Sequence, residues 1–189
     1  MKTILVRDLM VPLKEYATVS EDASLFEAVM ALEDAQKAFD QTRYRHRAVL
    51  IKDAEGKVVG KVSQLDVLRG LEPKYQEVKE KESFARFGLT KTHLKSMMEQ
   101  FSLWDKPLTD ICSKASRIRV KNIMYKPTEG EYVKAEATLD EAIDQLIMGS
   151  HQSLLVLAEG TIVGVLRLSD VFLEVCEAIK ACEIPRGAD

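Results

Sequence analysis

The chain has 189 residues, 46% hydrophobic and 30% charged, and its 27 Lys+Arg against 30 Asp+Glu leave a formal charge of −3. This composition excludes a disordered or fibrous chain, and the charge provides no overall positive field to draw in nucleic acid or anionic lipid. A chain this long can remove roughly 70% of its unfolded surface from water, so its stability requires neither disulfides nor a metal.

In chain order, the first ten residues carry only a short apolar stretch broken by Arg7 and Asp8, unlike a signal peptide. Ser24 and Glu27 have the S/T-x-x-E spacing of a helix start, and Leu25, Ala28, Val29, Leu32, Ala35 and Phe39 follow at helical spacing. Two short apolar runs, 48–51 and one ending at Gly60-Lys61-Val62, flank the turn Asp53-Ala54-Glu55-Gly56 and predict a hairpin. A further helix is expected from about Leu65.

The stretch 72–118 predicts a helical insert, with Pro73 suited to a helix start and Leu94, Met97, Met98 and Phe101 on one face. Trp104, the only tryptophan, either anchors the insert on the rest of the chain or meets a partner.

The earlier pattern then returns. Val6-Arg7-Asp8-Leu9-Met10 recurs as Val120-Lys121-Asn122-Ile123-Met124, and Ser24-Leu25-Phe26-Glu27-Ala28 as Thr138-Leu139-Asp140-Glu141-Ala142, both displaced by 120 − 6 = 114. Leu139, Ala142, Ile143, Leu146 and Ile147 repeat the helical stripe. The hairpin and its following helix recur with a displacement of 162 − 58 = 104, so the first copy carries ten extra residues, placed in the stretch 34–46. Each copy reads as β-α-β-β-α, too small to stand comfortably alone, and two would share a core. The organisation expected is a first repeat over 1–71, the insert over 72–118, a second repeat over 119–182 and a tail over 183–189.

The chemistry-bearing residues argue against an enzyme. His46, His93 and His151 stand in unrelated contexts, and no G-x-S-x-G, H-E-x-x-H or glycine-rich phosphate loop is present. Cys112, Cys176 and Cys182 lack C-x-x-C spacing, which favours buried free thiols in a reducing cytoplasm over a zinc site or disulfides. The apolar runs fall far short of the ~20 residues of a membrane-spanning helix. A soluble, cytoplasmic protein without membrane association is expected.

Two strand-to-helix junctions remain, Gly60-x-x-Ser63-x-x-Asp66 and Gly164-x-x-Arg167-x-Ser169-Asp170. A hydroxyl and a carboxylate beside a helix start can hold a vicinal diol such as a ribose, although Ser63 and Asp66 equally fit a capping box.

These junctions, the Ser/Thr-Leu-x-Glu-Ala helix starts and the leading Val-x-Asp-Leu-Met resemble the cystathionine-β-synthase (CBS) domain. Two such copies in tandem look like a Bateman module. The resemblance implies an α/β (α+β) fold of two repeats packed as a pseudo-two-fold pair with the insert between them. It also implies a regulatory, non-catalytic module that binds adenosine-containing ligands, AMP, ADP, ATP or S-adenosylmethionine, in clefts between the repeats.

Carried over by position, Ser63 and Asp66 would hold one ribose, and Ser169 and Asp170 the other. Arg47, His46, His151 and Arg167 would meet phosphates, and Val19, Val133 and Ala135 would line the adenine pockets or simply belong to the core. Arg167 replaces the family's hydroxyl, so it either reaches a phosphate or fills the cleft with a salt bridge. No resident cofactor or metal is implied. A homodimer is expected, with an effector protein as regulated partner. The competing reading is a scaffold that works through the insert with vestigial ligand sites. Nucleic-acid binding through Arg43 to Arg47 finds little support, because Tyr44 is the only aromatic residue there.

Overall fold

The computed structural model describes residues 3–39, 43–72, 96 and 110–181. Most of the insert, with His93, Leu94, Met97, Met98, Phe101 and Trp104, lies outside the described residues, as do Cys182 and the tail over 183–189. The described elements begin with α1 (Val6–Leu9), β1 (Val11–Pro12), β2 (Thr18–Ser20), α2 (Leu25–Ala38), β3 (Ala48–Lys52), β4 (Val58–Ser63) and α3 (Gln64–Leu71). Further along come α4 (Ile111–Arg117), β5 (Tyr132–Lys134), α5 (Leu139–Met148), β6 (Ser153–Ala158), β7 (Thr161–Arg167) and α6 (Leu168–Lys180).

The chain divides into two compact units, and each draws on both repeats. One unit comprises Thr18–Glu33 and Arg47–Tyr125; the other comprises Met1–Ala17, Asp34–His46 and Lys126–Asp189. The leading pentad of each copy thus belongs with the sheet of the other copy.

The first unit is built on a three-stranded sheet of order β2-β3-β4, with β2 parallel to β3 and β3 antiparallel to β4. Its hairpin closes through Asp53, whose Oδ1 accepts the Lys57 N–H at 2.8 Å, and through Gly56 at φ +80°, a backbone region that glycine enters without steric cost. Helix α2 starts as its spacing predicts: the Ser24 N–H donates to Glu27 Oε2 at 2.6 Å and the Glu27 N–H to Ser24 Oγ at 3.2 Å. Its buried stripe is narrower than expected. Leu25 and Ala28 are buried, whereas Val29 is exposed. The pentad from the second copy docks here through the Val120 N–H, which donates to the Ala23 carbonyl at 2.9 Å. Met124 then lies against Gly60, where a Cβ would stand 2.7 Å from its Sδ.

The second unit carries a four-stranded sheet of order β1-β7-β6-β5, with β5 parallel to β6 and the other pairs antiparallel. Its core gathers Val6, Leu139, Ala142, Leu146, Leu154, Val156, Leu166 and Val171. Ile147, expected on the buried face of α5, is exposed. The pentad of the first copy docks through the Val6 N–H, which donates to the Ala137 carbonyl at 2.9 Å. Gly164 repeats the role of Gly60: a Cβ there would stand 2.8 Å from Met10 Sδ and 2.6 Å from the Val11 carbonyl.

The cysteines depart from expectation. Cys112 is exposed and Cys176 only partly buried, both as free thiols, because α4 buries none of its residues and Cys176 lies outside the buried face of α6. Among the described residues, no helix is long and apolar enough to cross a membrane, and no group of three or more His, Cys, Asp or Glu could hold a metal ion.

Candidate functional site

The two strand-to-helix junctions have different chemistry. In the three-stranded unit, Ser63 caps α3. Its N–H and Oγ–H donate to Asp66 Oδ2 at 2.9 and 2.6 Å, and the Asp66 N–H donates back to Ser63 Oγ at 3.3 Å. The capping box read from the spacing is therefore formed. Asp66 nevertheless keeps its second oxygen toward Arg69, whose Nη1 is 3.6 Å away, and its side chain stays 16% exposed. It opens on a cavity of about 180 Å³ that Arg69, Gly70, Asn122, Ile123, Met124 and Tyr125 also line. Carboxylate, guanidinium, amide and thioether thus face one space, able to accept hydroxyls, attract an anion and cover an apolar ring.

In the four-stranded unit, Arg167 takes the capping position without capping. Its Nε and Nη2 donate to Asp170 Oδ2 and Oδ1 at 2.5 and 2.6 Å, and Nη1 donates to the Tyr44 carbonyl at 2.7 Å. Arg43 Nη2 stands 3.3 Å from Asp170 Oδ1. Of the two alternatives open for Arg167, the structure contains the salt bridge. A smaller cavity, about 140 Å³, lies beside Asp170, with Asp8, Leu9, Met10 and Arg43 among its walls and Leu173 and Glu174 completing it. Position by position it is the equivalent of the Asp66 cavity: the 114 displacement takes Asp8, Leu9 and Met10 to Asn122, Ile123 and Met124, and the 104 displacement takes Asp66, Arg69 and Gly70 to Asp170, Leu173 and Glu174.

His46 is 1% exposed, between the rings of Tyr16 and Phe39 at centroid distances of 4.5 and 4.3 Å. Its Nδ1 lies 3.3 Å from Arg167 Nη1. A guanidinium only donates, so Nδ1 must accept, which puts the ring proton on Nε2; that buried nitrogen has no hydrogen bond of normal geometry among the described residues. Burial and the Arg167 charge hold the imidazole down to about 4, against a weaker opposing influence of the nearby Glu15 backbone. A neutral ring therefore stands at this position near pH 7. Burial also pushes the Tyr16 hydroxyl up to about 12.

The remaining candidates are dispersed. Arg47 is exposed in the three-stranded unit, its carbonyl accepting the Gln64 N–H at 3.1 Å. Val19 borders a wider depression of about 440 Å³ with Ser20, Asp22, Glu27 and Arg119. In the other unit, Val133 and Ala135 pack in the hydrophobic core, and Ser169 is partly buried in the first turn of α6. His151 lies against Gly149, with Nδ1 3.9 Å from Glu131 Oε1. Sequence reasoning missed Arg69 and the Asn122–Tyr125 wall. Applying the two displacements crosswise, from each pentad to the other copy's junction, is the signal that would have found them.

The family profile described as CBS domain matches residues 6–73 and 120–177. No curated protein matches the chain significantly. Among solved structures, the CBS domain of a CBS domain containing membrane protein from Sphaerobacter thermophilus is similar at 18% identity, covering 92% of this chain and 88% of that one with a TM-score of 0.60. The CBS-pair protein CBSX2 from Arabidopsis thaliana is similar at 18% identity over 96% of this chain and 100% of that one, with a TM-score of 0.59. A CBSX2 structure in complex with AMP gives a TM-score of 0.56 at 18% identity over 92% of this chain and 97% of that one.

Proposed function

Because the chain belongs to the CBS domain family and carries two copies of the domain, we propose that it is a non-catalytic regulatory module that binds an adenosine-containing ligand in the Asp66 cavity. The observation that carries this reading is the partly exposed Asp66 carboxylate, oriented by Ser63, paired at 3.6 Å with the half-exposed Arg69 and lining one cavity with Asn122–Tyr125. Asp66 would accept the ribose hydroxyls, Arg69 would meet phosphate or carboxylate, and Met124 and Tyr125 offer apolar cover for a base. The AMP complex of a similar protein, CBSX2, supports an adenine nucleotide as ligand.

Ligand binding becomes regulation only through unequal affinity for two conformations. A homodimer that passes the signal to an effector protein is the assembly we propose. Exposed Phe26, Leu65, Leu68, Ile147, Met148 and Phe172 offer apolar surface for such contacts, and sedimentation velocity tests the dimer. Isothermal titration with AMP, ADP, ATP and S-adenosylmethionine tests the ligand: heat is expected from at least one with the wild type and is lost in Asp66→Ala. No heat from any of the four contradicts the reading.

A further inference from the structure

We propose that the second of the two equivalent cavities is sealed against nucleotide by the protein's own arginines, so that each chain holds a single ligand. This rests on the reading of the Asp66 cavity as the ligand site. Asp170 stands where Asp66 stands in the other unit, yet it is only 2% exposed and both of its oxygens are occupied, by Arg167 Nε and Nη2 and by Arg43. With three of its roughly four acceptor positions facing guanidinium donors and its side chain only 2% exposed, this carboxylate cannot present two free acceptors to a diol.

The seal has its own scaffold. Both guanidinium groups lie over the Phe39 ring, Arg43 at 5.3 Å and Arg167 at 5.2 Å from its centroid, within cation–π range. The Tyr44 carbonyl holds the remaining arm of Arg167. Phe39, Arg43 and Tyr44 all fall in 34–46, the stretch where the first copy carries its ten extra residues, and this stretch is grouped with the four-stranded unit. This longer stretch thus supplies the aromatic plate, one cation and one carbonyl that hold the plug in place.

The surrounding wall is also wrong for a phosphate. Leu173 replaces the cation Arg69, Glu174 replaces Gly70, and Asp8 replaces Asn122. An anion entering beside Asp170 would meet added carboxylates and an arginine already paired.

Equilibrium dialysis with labelled AMP tests the seal. Wild type should bind one AMP per chain, Asp170→Asn should bind with unchanged affinity, and Arg43→Ala/Arg167→Ser/Leu173→Arg, with its fold checked by circular dichroism, should gain a site. Two sites in the wild type, a tenfold weakening in Asp170→Asn, or no added site in the folded triple variant would overturn the proposal. If the wild type binds no AMP, the reading of the Asp66 cavity fails by itself. The triple variant then still decides the seal: binding gained upholds it and none gained overturns it. Should the triple variant not fold, Asp170→Asn measured on the one-site wild type carries the decision.

Discussion

Arg167, three residues ahead of Asp170, holds it through two side-chain hydrogen bonds, at the turn where the other copy joins Ser63 to Asp66 through a hydroxyl and a backbone N–H. Both partners are almost wholly buried, 5% and 2% exposed at their side chains. Removing one member of a buried pair leaves a charge without compensation and costs about 3–5 kcal/mol, whereas replacing both with apolar groups is often close to neutral. Arg43, 3.3 Å from Asp170 Oδ1, still compensates part of the charge, so Arg167→Leu is expected to lose up to about that much in urea denaturation, and Arg167→Leu/Asp170→Leu less. Equal losses in the two variants would show that the pair contributes packing rather than charge.

The neutral state of His46 makes stability depend on pH. Its folded value lies at about 4, below its ordinary 6.5, so the unfolded chain takes up the proton first as pH falls. The contribution is whole above pH 6.5 and is lost as pH drops toward 4, with a slope of at most ~1.4 kcal/mol per pH unit from this one group. Denaturant midpoints measured between pH 7 and pH 4.5 should fall for the wild type and fall less for His46→Phe. Parallel curves would remove His46 as the cause.

Two glycines at equivalent places predict unequal costs. A methyl at Gly164 would meet the Val11 carbonyl at 2.6 Å, which is backbone in a strand pair, whereas at Gly60 the nearest atom is the flexible Met124 side chain at 2.7 Å. Crowding of this kind costs typically about 1–3 kcal/mol. Gly164→Ala should sit at or above the top of that range and Gly60→Ala near the bottom, as read from thermal unfolding.

Asp66 has a structural and a proposed binding role that one substitution can separate. Its carboxylate accepts two hydrogen bonds from Ser63, so Asp66→Ala should lower stability by ~1 kcal/mol, the usual scale for a lost cap. That is too little to unfold an ordinary domain, so loss of AMP binding in a variant that still unfolds cooperatively reports on the site. Ser63→Ala should weaken binding less than Asp66→Ala, because it removes the orienting hydroxyl and leaves the acceptor.

Much of this architecture could be read from the chain. Ser24/Glu27 and Thr138/Glu141 marked helix starts that formed with reciprocal capping bonds, because a capping box is local chemistry set within four residues. Ser63 and Asp66 were legible for the same reason. The crosswise docking of the pentads was not, since Val6-Arg7-Asp8-Leu9-Met10 is compatible with either sheet and contacts made in the folded chain, Val6 to Ala137 and Met10 on Gly164, Val120 to Ala23 and Met124 on Gly60, distinguish them. Nor could spacing decide between a phosphate-binding Arg167 and a salt-bridged one; that depends on Arg43 and Phe39, which lie more than a hundred positions away and reach it only in the folded chain.

Backbone amide shifts recorded while AMP is titrated into the uniformly 15N-labelled protein test the central claim most directly. The account predicts movement concentrated in Ser63–Gly70 and Asn122–Tyr125, with Leu168–Glu174 and Asp8–Met10 left in place. Shifts concentrated around Asp170 instead, or none at saturating AMP, would contradict it.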